Sequence, residues 1–185
     1  MADFQKAHAF TAKWEGGLCD HPNDPGGITN YGVSLRWLRS LGCDLGDVDG
    51  DGDIDADDVR ALTPDDAARL FRQKFWEPCG LGQLSQAVAT AYYDAAVNTG
   101  PAQAARFAQR ACNSLLGSGL AVDGCMGKLT RQALKDGDSR QLVGRMLQER
   151  DQFYINLAAS KPSLACFLQG WRNRVDDLRS YLGLC

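Results

Sequence analysis

A chain of 185 residues can bury one sizeable hydrophobic core and does not require two. Its net charge of -3 is uneven: residues 47–58 hold seven Asp and no base, leaving 16 acids against 20 bases, about +4, on the rest. A modestly basic body suits an anionic polymer, but no basic patch is interleaved with aromatic residues, which argues against a nucleic-acid partner. No apolar run approaches bilayer length, and residues 1–10 lack the basic start and apolar stretch of a secretory signal, so a cytoplasmic location until release is expected.

In chain order, Phe4, Ala7, Phe10 and Trp14 recur at helical spacing after Asp3, a plausible N-cap, and Gly16-Gly17 ends the pattern. Glu15 then falls in the last helical turn, where the negative end of the helix dipole and neighbouring Trp14 both disfavour an ionised carboxylate. That suits a general acid. Asp24 lies in the Pro- and Gly-rich run Asp24-Pro25-Gly26-Gly27-Ile28-Thr29-Asn30-Tyr31-Gly32, where solvent and free backbone N–H groups keep a carboxylate charged. Two acids in unlike surroundings are the pattern of glycosidic-bond chemistry. The plainer alternative is a helix cap followed by an ordinary turn. Strand signals are confined to about residues 18–33, where a small hairpin would carry Asp24 and Thr29.

Residues 47–58 fit a twelve-residue calcium loop, with acids at positions 1, 3, 5 and 12 and Gly52 at position 6. Asp47, Asp49, Asp51 and Asp58 would supply carboxylates, Asp53 its backbone carbonyl, and Asp55 a direct or water-mediated contact, while Ile54 packs inward. The expected role is a structural Ca2+ clip between the helix ending near Leu41 and a short helix after Asp57, with no part in catalysis. Asp58 replaces the usual Glu, as in dockerin loops. A solvated acidic linker is the alternative.

Helical punctuation dominates the remainder. Ser34 precedes a pattern at Leu35, Leu38 and Leu41; Thr63-Pro64-Asp65-Asp66 combines an N-cap, Pro at the first helical position and first-turn acids. Apolar spacing predicts further helices near 85–98, 101–116, 126–136, 138–160 and 163–182. Asn98 ends one of these, where its amide could bond a sugar or cap the helix; Tyr31 and Tyr93 could contact saccharide rings. Trp76 and Trp171 are expected to fill the core, and Asp94 to be a buried structural acid. His8 and His21 are the only histidines, too few ligands for a His-based zinc peptidase. The seven Cys form no Cys-x-x-Cys cluster and are expected to be mostly buried and reduced.

The set Glu15, Asp24, Thr29 resembles the catalytic triad of phage-type lysozymes, with the Asp-to-Thr step one residue shorter. Glu15-Gly16-Gly17 followed by Asp24-Pro25-Gly26-Gly27-x-Thr29-Asn30-Tyr31-Gly32 resembles glycoside hydrolase family 108, the N-acetylmuramidases. The likeness continues through Phe75-Trp76-Glu77-Pro78, residues 93–100, Val122-Asp123-Gly124 and residues 170–174. It implies a mainly α, lysozyme-like fold with a catalytic lobe at 1–96 and a helical peptidoglycan-binding-like lobe at 97–185, packed as one unit. It also implies hydrolysis of the β-1,4 bond between N-acetylmuramic acid and N-acetylglucosamine in peptidoglycan strands, by a monomer released through a holin pore, as phage endolysins are, or a secretion route. Glu15 would protonate the leaving oxygen, Asp24 stabilise the transition state and activate water, and Thr29 hold that water. A lytic transglycosylase or a non-catalytic, calcium-dependent wall-binding module are the alternatives.

Overall fold

The Asp3 carboxylate accepts the Gln5 backbone N–H at 2.7 Å, capping the first helix, α1 (Phe4–Glu15), which ends where Gly16 takes φ +73°. A computed structural model describes residues 1–20 and 27–184; His21, Asp24 and Cys185 lie outside the described residues. The described chain is mainly helical, with one two-stranded antiparallel hairpin. It divides into two compact units, Thr11–Lys74 and Met1–Phe10 together with Phe75–Cys185.

In the first unit, β1 (Thr29–Asn30) pairs with β2 (Val33–Ser34), Thr29 opposite Ser34 and Asn30 opposite Val33. The connecting residues Tyr31 and Gly32 both take positive φ, +48° and +78°, as two-residue hairpins need to match strand twist. Cys19 bridges Thr29 through reciprocal backbone bonds of 2.8 Å, so the hairpin expected near 18–33 is present. Ser34 caps α2 (Leu35–Ser40) by accepting the Trp37 N–H at 3.2 Å. Then come α3 (Cys43–Gly46), α4 (Ala56–Ala61) and α5 (Pro64–Phe71), the last opened by a reciprocal Thr63–Asp66 capping box. A π-helical turn, Arg72–Trp76, follows. Neither it nor α3 is anticipated by the sequence patterning, since elements of one turn carry too few residues to show a period.

In the second unit, α6 (Gln86–Thr99) is buried continuously from Val88 to Ala96 and packs against α7 (Pro101–Leu116) and α9 (Ser139–Ser160). A helix buried on every side belongs at the centre of its unit, and its one buried charge, Asp94, then needs partners there. Against these pack α8 (Lys128–Asp136), on α7 and α9, and α10 (Leu168–Tyr181), on α9. The helix expected at 163–182 begins instead with a 3-10 segment, Pro162–Phe167, before the α-helix proper. The N-terminal segment joins this unit: the Gln86 amide accepts the Asp3 N–H at 2.7 Å and donates to the Asp3 carbonyl at 3.0 Å, while the Tyr181 hydroxyl donates to the Lys6 carbonyl. No helix among the described residues is long and apolar enough to cross a membrane.

Candidate active site

Glu15, the last residue of α1, is half-buried, and the hairpin turn of its own unit lies against it. A Cβ added at Gly32 would sit 2.7 Å from Glu15 Cβ and 3.0 Å from both Cγ and Oε2, inside van der Waals contact. Gly32 is therefore required twice, by its positive φ and by this approach. The turn is fixed from behind by Asn30, 5% exposed, whose amide donates to the Val59 carbonyl at 3.1 Å and the Leu62 carbonyl at 3.5 Å at the end of α4. Thr29 is half-buried on β1, its hydroxyl donating to the Gly27 carbonyl at 3.4 Å; Tyr31 is exposed at the turn.

The aspartate loop feeds α4. Asp55 is its N-cap and Asp58 its third residue, so the helix turns the Asp58 carboxylate back toward the loop, where it is 1% exposed. One Asp58 oxygen accepts the Val48 N–H at 2.6 Å and the Asp49 N–H at 3.3 Å; the other accepts the Asp55 N–H at 2.7 Å. Burial pushes this carboxyl up, but the backbone donors outweigh it and hold the group below the ordinary carboxylate range. Asp47 binds the loop glycines, accepting from Gly50 at 2.7 Å and Gly52 at 3.0 Å. Carboxylate oxygens of Asp47, Asp49 and Asp58 lie within 4.8 Å of one another, as do those of Asp53, Asp55 and Asp58; Asp51 is in neither group. Ile54 packs on Gly46, where a Cβ would meet its Cδ1 at 2.7 Å, and its carbonyl accepts Arg39 Nε at 2.8 Å. All-oxygen donors around an inward carboxylate fit a hard cation such as Ca2+.

In the second unit Asp94 is fully buried and meets two guanidiniums: Arg150 Nη1 at 2.6 Å, and Arg174 through Nη2 at 2.7 Å and Nε at 3.1 Å. Burial raises its carboxyl, and these two charges more than reverse that, leaving it below the usual range. Asp94 is the structural acid expected. Asn98, near the end of α6, turns its Oδ1 to Tyr154 and Arg150 rather than to its own helix terminus, which Gly100 closes. Tyr93 is fully buried among Phe4, His8 and Trp76, its hydroxyl 2.8 Å from His8 Nδ1, a core position rather than a saccharide-facing one. Cys79 and Cys112 are buried as expected, whereas Cys19, Cys43, Cys125 and Cys166 are exposed and unpaired thiols in or beside turns and helix starts.

Residues 8–100, half of the chain, match the family described as glycosyl hydrolase 108. The chain belongs to glycosyl hydrolase family 108. It is thus a glycoside hydrolase by family, and residues 103–176 match a second family, described as a predicted peptidoglycan domain. The boundary between the two falls at the Gly100 turn between α6 and α7. No curated protein matches the chain. Among solved structures, SagA of Brucella abortus is similar: 28% identical, covering 97% of this chain and 92% of that one, with a TM-score of 0.75. Glu15 and Thr29 fall within the matched residues at described positions, and Asp24 falls within them but outside the described residues.

Sequence reasoning missed the supporting residues Asn30, Gly32, Arg150, Tyr154 and Arg174. One signal was available: Arg150 stands four residues from Met146 and four from Tyr154, on an otherwise apolar stripe of α9, where a charge needs a buried partner.

Proposed function

We propose that this family 108 protein is an N-acetylmuramidase that hydrolyses the β-1,4 bond between N-acetylmuramic acid and N-acetylglucosamine in peptidoglycan, with Glu15 as general acid. The observation that carries the reading is the approach of Gly32 to Glu15: a strained hairpin turn, with Tyr31 at φ +48°, is built so that backbone lies flat against one carboxylic acid. Such closeness fixes the rotamer of an acid that must deliver a proton along one direction. Asp24, by its place in the motif, stabilises the oxocarbenium-like transition state and activates water, with Thr29 as its aid and Tyr31 as a saccharide contact. The match of residues 103–176 supports peptidoglycan as the polymer engaged.

Asp47, Asp49 and Asp58, with Asp51, the Asp53 carbonyl and Asp55, hold Ca2+ as a structural clip in this reading, supported by the convergent oxygens and the position of Asp58 on α4. When bound, the ion offsets the mutual repulsion of the loop carboxylates and so tightens the start of α4. It contributes nothing to bond cleavage. The path from clip to acid is short in chain terms: loop, α4, the carbonyls of Val59 and Leu62, Asn30, and the turn at Gly32. The enzyme is held in the cytoplasm and reaches the wall by a holin or secretion route.

The test is product chemistry. Peptidoglycan digested by the protein and then reduced with borohydride is expected to yield muramitol ends. Glucosaminitol ends would identify the other glycosidic bond as the target, and 1,6-anhydro ends would replace hydrolysis with transglycosylation.

A further inference from the structure

Asn98 is held by a chain of donors that dictates which way its amide faces. Arg150 Nε, which can only donate, gives its hydrogen to the Tyr154 hydroxyl at 2.8 Å. That leaves the single Tyr154 proton for Asn98 Oδ1, with which it forms a close hydrogen bond. Arg150 Nη2 adds a second donor to the same oxygen at 3.5 Å, and Arg150 is itself anchored by Asp94 at 2.6 Å. A flipped amide would set its NH2 group against the guanidinium, donor against donor. The amide is therefore locked with Oδ1 inward. Its Nδ2 has no protein acceptor among the described residues and is not among the buried unsatisfied atoms, so this donor keeps access to an acceptor from outside.

The surroundings are aromatic. Trp171 stacks on the Tyr154 ring at 5.1 Å with an interplanar angle of 23°, and Phe167 lies 5.9 Å from Trp171 and is 53% exposed. An oriented amide donor, bonded through Tyr154 to a cluster that ends in the exposed Phe167 ring, suits a group that pairs a carbonyl oxygen with a methyl or C–H face. An acetamido substituent is such a group. Arg150 and Tyr154 bond the half-buried amide directly, and behind Arg150 stands the buried Asp94, which Arg174 also binds.

We propose that Asn98 Nδ2 donates a hydrogen bond to the carbonyl oxygen of an N-acetyl group of the glycan, with Tyr154 and Arg150 as positioning residues that keep the amide in its donating orientation. The proposal rests on the glycan-directed reading above and adds the substituent recognised. It makes the second unit a reader of acetylation, so that de-N-acetylated glycan binds more weakly.

Chitotetraose provides the test, because it carries acetamido groups but lacks the N-acetylmuramic acid required for the proposed cleavage. Calorimetry would compare it with its de-N-acetylated and re-N-acetylated forms, on wild type, Asn98→Asp and Tyr154→Phe. Wild type is expected to prefer the acetylated forms by about tenfold, the scale of one hydrogen bond at a desolvated site. Asn98→Asp keeps an oxygen for Tyr154 and Arg150 but replaces the outward donor with an acceptor, so its melting temperature should hold while the preference falls to within about twofold. Tyr154→Phe unlocks the amide and should cost about threefold in preference; it decides the matter if Asn98→Asp does not fold.

An unchanged preference in Asn98→Asp, or none in wild type, would overturn the assignment. So would a loss of binding seen only with muramic-acid fragments, which would hand Nδ2 to the lactyl carboxylate. Binding is read here without cleavage: a protein that binds with this dependence but never digests peptidoglycan refutes the muramidase reading alone, and one that digests it with Asn98 irrelevant refutes only this inference.

Discussion

The two units fix their polar side chains by opposite means. In Thr11–Lys74 the ordering groups are backbone: three N–H donors hold Asp58, two glycine N–H groups hold Asp47, and a glycine turn presses on Glu15. In the other unit the ordering groups are long side chains from separate helices, with Asp94 on α6, Arg150 on α9 and Arg174 on α10 closing a network out of water. The first arrangement is local in sequence and rests on backbone donors and a glycine contact, so a cation or one added methyl can alter it. The second couples residues 56 and 80 positions apart and responds to deletion of a charge. Short, adjustable segments thus order the one unit, and long helices the other.

The largest effect should come from breaking the buried network. Asp94→Ala is expected to cost about 3–5 kcal/mol in chemical denaturation, because two guanidiniums lose their buried counter-charge; a cost below about 1 kcal/mol would mean that the network does not organise this unit. The same site sets an acid limit. The folded Asp94 carboxyl lies below its unfolded value, so its contribution is complete above the ordinary carboxylate range and is lost as pH falls through the depressed folded value. Thermal stability should be flat near neutrality and decline below about pH 5, and Asp94→Asn should flatten that decline.

Next in size is the cation. Calcium at a hundredfold excess over its dissociation constant should stabilise by about 2.7 kcal/mol, raising the melting temperature by about 5–10 °C, and EDTA should reverse it. Asp58→Ala should abolish the response; a calcium-independent melting curve would leave the loop as a plain acidic turn. Asn30→Ala should cost about 1–3 kcal/mol by stranding the Val59 and Leu62 carbonyls. Smallest in stability is Gly32→Ala, about 1–2 kcal/mol from its positive φ. Its effect on turnover should be greater than on folding, about a hundredfold or more, because the new methyl displaces Glu15. Equal losses in both would separate the turn from the chemistry.

The same contrast explains what could be read from sequence. Caps and stops are local signals, so Asp3, Ser34, Thr63 and Gly16 mark real helix ends, and Glu15 lies at the terminus its spacing implies. The hairpin was legible from its glycines, but the contact of Gly32 with Glu15 was not, since it depends on how a turn packs against a helix seventeen residues earlier in its closest member. Tyr93 illustrates the reverse difficulty: a helical tyrosine beside Asp94 can face solvent or core, and only the packing of α6 on all sides places it inside. Arg150 and Arg174 were visible as charges, but their common partner was not, because periodicity reports faces and never pairs faces across helices.

The central claim is that Glu15 is the general acid of a peptidoglycan hydrolase. Wild type and Glu15→Gln, matched for melting temperature, should be compared by the rate at which purified peptidoglycan releases reducing muramic-acid ends. The expected result is a loss of about 10²–10⁴-fold in Glu15→Gln. Release by Glu15→Gln at the wild-type rate would contradict the account.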